Sequence, residues 1–135
     1  MVKVEEIMNK KVEFIEPDAS VFDAIERMVG KKIRSLGVKP KEEKGEYGVI
    51  SVRDVVLRVL GADLDPKKVE VEKVTTRPIV SVDRDVDINE VMHLMQKHRI
   101  ARVFVKEGEN IIGVCALLDV MAGLLIQKVR EHYVT

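Results

Sequence analysis

The sequence predicts an α/β (α+β) fold in which one β-α-β-β-α unit is used twice and the copies pack as a pseudo-twofold pair. Three observations lead there. The chain repeats itself at a nearly fixed shift, and each copy alternates short apolar runs with helical spacing. Apolar residues make up 46% of its 135 positions, enough for a packed core rather than a disordered tail.

The repeat is explicit. A shift of 67 positions lays residues 7–38 on 74–105 without a gap, and Asp18, Met28, Ile33 and Val38 meet Asp85, Met95, Ile100 and Val105. After a two-residue deletion, Gly48-Val49 meets Gly113-Val114, Asp54-Val55 meets Asp119-Val120, and Leu60 meets Leu125. Two gap-free blocks with one short indel mark a duplication. The copies span 1–62 and 71–135, joined by a linker at 63–70, and the second copy ends in an extended helix.

Each element follows from local pattern. Val12 to Ile15 and Ile79 to Val82 are short apolar runs bounded by charge and proline, which suits strands. Pro17-Asp18-Ala19-Ser20 and Asp83-Arg84-Asp85-Val86-Asp87 supply acidic and capping residues that open helices. Apolar positions then recur every three or four residues: Val21, Ala24, Ile25, Met28, and Ile88, Val91, Met92, Met95. Ile33 to Val38 and Ile100 to Val105 read as a second strand, Tyr47 to Ser51 and Ile111 to Cys115 as a third. The two extra residues fall in the charged turn Lys39 to Glu46, where insertion costs least. A last helix runs from about Ser51 to Leu60, and from about Ala116 towards Tyr133. A unit of about 55 residues is too small to bury a sufficient core alone, so the copies are expected to pack on each other.

Charge narrows the function classes. Lys and Arg total 23, as do Asp and Glu, and a division near Lys67 leaves each half neutral. Nucleic-acid domains usually carry a basic excess, and 4% aromatics without Trp leave little to stack on bases. A lone cysteine, Cys115, makes neither an internal disulfide nor a cysteine-based zinc site. The charged first nine residues hold no signal-peptide core, and no apolar run reaches the ~18 residues of a membrane span. A cytoplasmic protein, with no membrane partner, is expected.

The most specific segment is Gly48-Val49-Ile50-Ser51-Val52-Arg53-Asp54, where a strand meets a helix. Its plain reading is a capping box, with Ser51 satisfying an orphan N–H and Asp54 reaching back to the cap. The same geometry also suits a nucleotide. A helix start attracts phosphate, Arg53 adds a full charge, and a carboxylate one turn on accepts from both hydroxyls of a ribose. His93 and His98 lie five apart and do not share a face as metal ligands would. No paired carboxylate, nucleophile–base pair or Walker-type loop suggests catalysis.

The duplicated element order, with Ile33-Arg34-Ser35-Leu36 and Ile100-Ala101-Arg102-Val103 before the hairpin and the Gly-x-x-Ser-x-x-Asp segment after it, resembles the cystathionine-β-synthase (CBS) domain. The chain looks like a stand-alone tandem pair, the Bateman module, from about residue 4 to 130. The resemblance implies a flat pair that dimerises into a disc and binds an adenosyl ligand (AMP, ADP, ATP or S-adenosylmethionine) in the clefts between repeats. It implies phosphate and ribose roles for Ser51 and Asp54, and a base pocket around Val12 to Phe14 and Arg34-Ser35. The second copy departs from the pattern. Ala116 replaces the hydroxyl and Leu118 replaces Arg53, while Asp119 is kept and Arg102, aligned with Ser35, offers a substitute cation. The family's proline near the end of the second strand is also replaced, by Gly37 and Phe104.

A regulatory ligand-binding module is therefore expected, passing its response to a partner protein or to another copy of itself. It requires no cofactor. The alternative is an interaction scaffold in which Ser-x-x-Asp only caps a helix; an enzyme is the least favoured class. The surplus of apolar residues on both last helices, with Gly123 between them for close approach, predicts a homodimer through those helices.

Overall fold

Parallel strands need a crossover, and in both copies the capped amphipathic helix provides it. The computed structural model of the chain describes residues 1–134. It holds two compact units, one of residues 13–79 and one of residues 1–12 together with 80 onward; these are called the first and second units.

In the first unit, β1 (Phe14–Ile15) pairs in parallel with β2 (Ser35–Val38), which pairs antiparallel with β3 (Gly48–Ser51). Between β1 and β2 runs α1 (Val21–Lys31), whose N-cap Ser20 accepts from Asp23 N–H at 3.1 Å. After β3 come α2 (Val52–Val55) and, continuous with it, a wide π turn at Val56–Leu60. Leu36, Val38 and Ile50 point from the sheet onto Val21, Ala24 and Met28 of α1 and onto Val55 and Val59, forming one buried core.

The second unit repeats this plan with β4 (Ser81–Asp83), α3 (Ile88–His98), β5 (Arg102–Glu107), β6 (Asn110–Ala116) and α4 (Leu117–Val134). Its sheet order β4-β5-β6 has the same parallel and antiparallel pairings. Helices α1 and α3 also end alike, on Lys32 and Arg99 in the left-handed conformation.

The sequence division into 1–62, 63–70 and 71–135 follows the duplication, and the packing cuts across it. Residues 1–12 complete the second unit: Val2 and Val4 are fully buried, Val4 N–H donates to Val86 O (2.8 Å), and Ile88 N–H donates to Val2 O (3.0 Å). Residues 69–76, containing a 3-10 turn at Val71–Val74, complete the first. Val71 N–H donates to Ala19 O (2.8 Å) and Val21 N–H to Val69 O (2.8 Å). Each leading segment closes the core of the repeat it does not precede.

Three expectations are corrected. The first strand of each copy starts later than its apolar run, because Val12 belongs to the N-terminal strap and Ile79 N–H is engaged by Tyr47 O. The last helix of the first copy is α-helical only through Val55 before it widens. Gly123 is buried against Ile7 and Ile88 of its own unit, where an added Cβ would sit 3.1–3.3 Å from their methyl groups, so it offers no outward face. Gly37 and Phe104 exchange roles with their parallel-strand partners. Phe14 lies across Gly37, whose added Cβ would stand 2.6 Å from the ring, and in the second unit Phe104 lies opposite the small Ser81.

The strap is also held by charge. Arg130 donates to Met1 O and to both Glu6 carboxylate oxygens, and Glu5 and Glu107 both receive Arg84. The Arg130 hydrogen bond, helped by Lys3 N–H, lowers the Glu6 pKa from 4.5 to about 2. A depressed acid adds stability above its unfolded pKa and loses it as pH falls through the folded one. Acid titration between pH ~4.5 and ~2 is therefore expected to loosen the strap, read as rising amide exchange at Val4. Arg130→Ala should remove that pH step; the step persisting in the variant would assign it elsewhere.

Candidate ligand site

Strand β3 ends where Ser51 faces Ser35 of β2, and the chain turns there into α2. Val52 N–H donates to Arg34 O (3.0 Å), fixing the turn against the strand before it. Ser51 is 6% exposed and forms a complete capping box. Its N–H and hydroxyl both donate to Asp54 Oδ2 (2.8 and 2.9 Å), and Asp54 N–H returns a bond to Ser51 Oγ (3.2 Å).

This arrangement divides the carboxylate. Oδ2 is consumed by the cap, while Oδ1 stands 3.9 Å from Arg58 Nη1 on a side chain 22% exposed. Arg58 itself donates to Val74 O (3.2 Å) and, more weakly, to Lys73 O (3.4 Å). Arg53 and Arg34 are exposed beside the helix start. On β1, Phe14 meets the Tyr47 ring edge-on, centroids 5.5 Å apart. Ser35, Ser51, Arg53, Asp54, Arg34 and Phe14 thus fall in one unit, whereas Val12, Arg102 and Asp119 fall in the other.

The equivalent junction of the second unit keeps half of the box. Ala116 N–H donates to Asp119 Oδ2 (2.8 Å) with no hydroxyl to complete it, and Leu117 N–H donates to Ala101 O (3.1 Å). Arg102 pairs with Ala116 across β5–β6, as Ser35 does with Ser51. Cys115, fully buried beside this turn, has its thiol pKa pushed up to about 12, by burial first and by the Asp119 charge second. It is a packing residue, not a nucleophile.

Sequence reasoning passed over three residues: Tyr47, Arg58 and Arg77. Arg77 grips both oxygens of Glu72 and the carbonyls of Lys39 and Glu46, pinning the charged hairpin turn to the segment between the repeats. Its hydrogen bonds lower the Glu72 pKa. Arg58 was legible as the i+4 partner of Asp54. Arg77 had no local signal, since its carbonyl partners lie 31 and 38 residues away. A separate cavity of about 310 Å³, lined by Glu16, Asp18, Lys41, Glu70, Glu72 and two prolines, contains none of the candidate residues. Among the described residues no three His, Cys, Asp or Glu side chains are placed to hold a metal ion, and no helix is long and apolar enough to cross a membrane. His93 and His98 are exposed on α3.

The CBS-domain pattern matches the chain twice, at residues 4–61 and 71–126. The chain belongs to the CBS-domain family. It is a tandem pair of CBS domains, each carrying one strand–helix junction of the kind just described. A hexameric CBS-CP12 protein from bloom-forming cyanobacteria is similar in structure, with a TM-score of 0.85 and 31% identity over 90% of this chain and 70% of that one. The uncharacterized protein YlbB of Bacillus subtilis is 26% identical over 88% of this chain and 80% of its own length. An inosine-5'-monophosphate dehydrogenase of Methanocaldococcus jannaschii is 32% identical over 88% of this chain, which spans only 23% of that enzyme.

The two junctions predict opposite responses to one hydroxyl. Ser51→Ala is expected to cost about 1 kcal/mol through the lost cap, and Ala116→Ser to gain about 0.5 kcal/mol or more by completing the second box. Denaturant midpoints check both; equal signs would show that packing, not capping, sets these positions.

Proposed function

We propose that this CBS pair is a non-catalytic regulatory module whose first unit binds an adenosyl ligand, an adenine nucleotide or S-adenosylmethionine, at the β3–α2 junction. The observation that carries this reading is the divided Asp54 carboxylate: the cap holds one oxygen and leaves Oδ1 to accept from a ribose diol. The Ser51 hydroxyl gives its proton to Asp54, so the exposed Arg53 and Arg34 are the groups assigned to phosphate. Phe14 and Tyr47 offer an aromatic edge for the base. The second junction, without hydroxyl or Arg53 equivalent, takes a less anionic ligand or none. Asp54→Ala should weaken AMP binding by about 1.5–3 kcal/mol in calorimetry, the scale of a charged hydrogen-bonding group, and Asp119→Ala by much less. Equal AMP affinity for wild type and Asp54→Ala refutes the assignment.

A second reading, an interaction scaffold, is favoured by exposed apolar side chains that recur in both copies. Val52, Val56 and Leu60 are matched by Leu117, Met121 and Leu125 at the shift of 65, all more than 36% exposed. A stripe repeated in this way is self-complementary and fits a second copy of the chain. Light scattering should return at least twice 15.3 kDa at micromolar concentration. Leu124→Glu with Leu125→Glu should reduce it to the single-chain mass; a monomeric wild type refutes self-association.

A further inference from the structure

Arg58 stands between two things that the fold otherwise keeps apart. One is Asp54 Oδ1, the oxygen left over by the capping box, at 3.9 Å. The other is the main chain of the segment that leads into the second repeat, whose Val74 and Lys73 carbonyls accept from the two terminal nitrogens of the same guanidinium. That segment also grips the strand that ends at the site, since Thr76 and Val49 exchange two hydrogen bonds of 3.0 Å and Thr75 packs on Gly48.

The duplication supplies an internal comparison. The position equivalent to Arg58 in the second copy is Gly123, filled closely by Ile7 of the strap and by Ile88. The copy with the hydroxyl cap and Arg53 is the copy with Arg58; the copy with Ala116 and Leu118 has no side chain there at all. A strap can therefore be held at this place by packing alone, and a charged link is not demanded by the fold.

We infer that Arg58 is a positioning residue that passes occupancy of the Asp54 carboxylate to the inter-repeat segment at Lys73–Val74. The inference rests on the adenosyl reading for the identity of the occupant, but not for the link itself. The guanidinium is shared between Oδ1 and the two carbonyls. A diol donating to Oδ1 satisfies that oxygen, so Arg58 commits to the carbonyls and the 3-10 turn tightens. The Arg58–Asp54 pair is half exposed and long, so the effect is bounded at about fivefold in an opening equilibrium, the upper range for such pairs.

Amide exchange on the full chain tests this with and without ligand. Asp54→Asn keeps an acceptor for the cap and removes the charge that draws Arg58. It should slow exchange at Thr75 and Thr76 by up to about fivefold, while the equivalent Asn9 in the second unit stays unchanged. The same substitution made in an Arg58→Gln background should do nothing at Thr75 and Thr76. Saturating AMP should reproduce the slowing in wild type and not in Arg58→Gln. No change from Asp54→Asn, the same change with and without Arg58, or calorimetrically bound AMP without slowing overturns the inference. Failure of AMP to bind at all overturns the adenosyl reading instead, and the Asp54→Asn comparison still decides the role of Arg58.

Discussion

Val4 N–H to Val86 O and Val71 N–H to Ala19 O are one hydrogen bond made twice, each of 2.8 Å, and each by the segment that precedes the other repeat. The rest of the architecture depends on this exchange. A three-stranded sheet with two helices leaves one edge of its core uncovered, and buried valines of the borrowed segment close it: Val2 and Val4 in one unit, Val71 and Val74 in the other. The exchange is reciprocal down to its last contacts. Asn9 pairs with Val114 as Thr76 pairs with Val49, and Met8 fills the space over Gly113 as Thr75 does over Gly48. Those two glycines are explained by that approach, since an added Cβ would lie 2.4 Å from the borrowed side chain in both.

The parts of the fold that were legible are those written in local period and chemistry. Ser20 and Asp87 do cap helices, α1 and α3 do bury the spaced apolar residues, and the extra two residues do sit in the hairpin turn. The exchange was not legible, because an apolar segment such as Val2-Lys3-Val4 carries no mark of which copy it will pack on, and both copies offer the same groove. Gly123 misled for a related reason. A glycine among exposed leucines reads as a place for another helix, while the residues that come close are Ile88 and, 116 positions earlier in the chain, Ile7.

At the candidate site the same split appears. The Ser51–Asp54 spacing showed that the two residues would meet, but not that the cap would take one carboxylate oxygen and spare the other. That division lets the structural and the functional readings hold together. A helix start needs its orphan N–H satisfied permanently, and the proposed ligand needs an acceptor that the cap does not occupy; one carboxylate with two oxygens meets both demands. The serine hydroxyl gives its proton to Asp54, so in the proposed site the negative charge of a phosphate would fall to Arg53 and Arg34.

Duplication normally leaves two copies free to drift apart. Around the junction Ser51, Arg53 and Arg58 correspond to Ala116, Leu118 and Gly123, each change removing a polar group or a charge, while Ser35 on the facing strand corresponds to Arg102 and adds one. What the second copy gains is packing. Gly123 admits Ile7, Phe104 is buried opposite Ser81, and α4 runs on to Arg130, which holds the strap through Met1 O and Glu6. In the first copy, the helix instead widens into a π turn after Val55 and ends near Gly61, with Gly61 N–H reaching back to Val56 O (2.7 Å). The shorter helix still places Val55 and Val59 in its core.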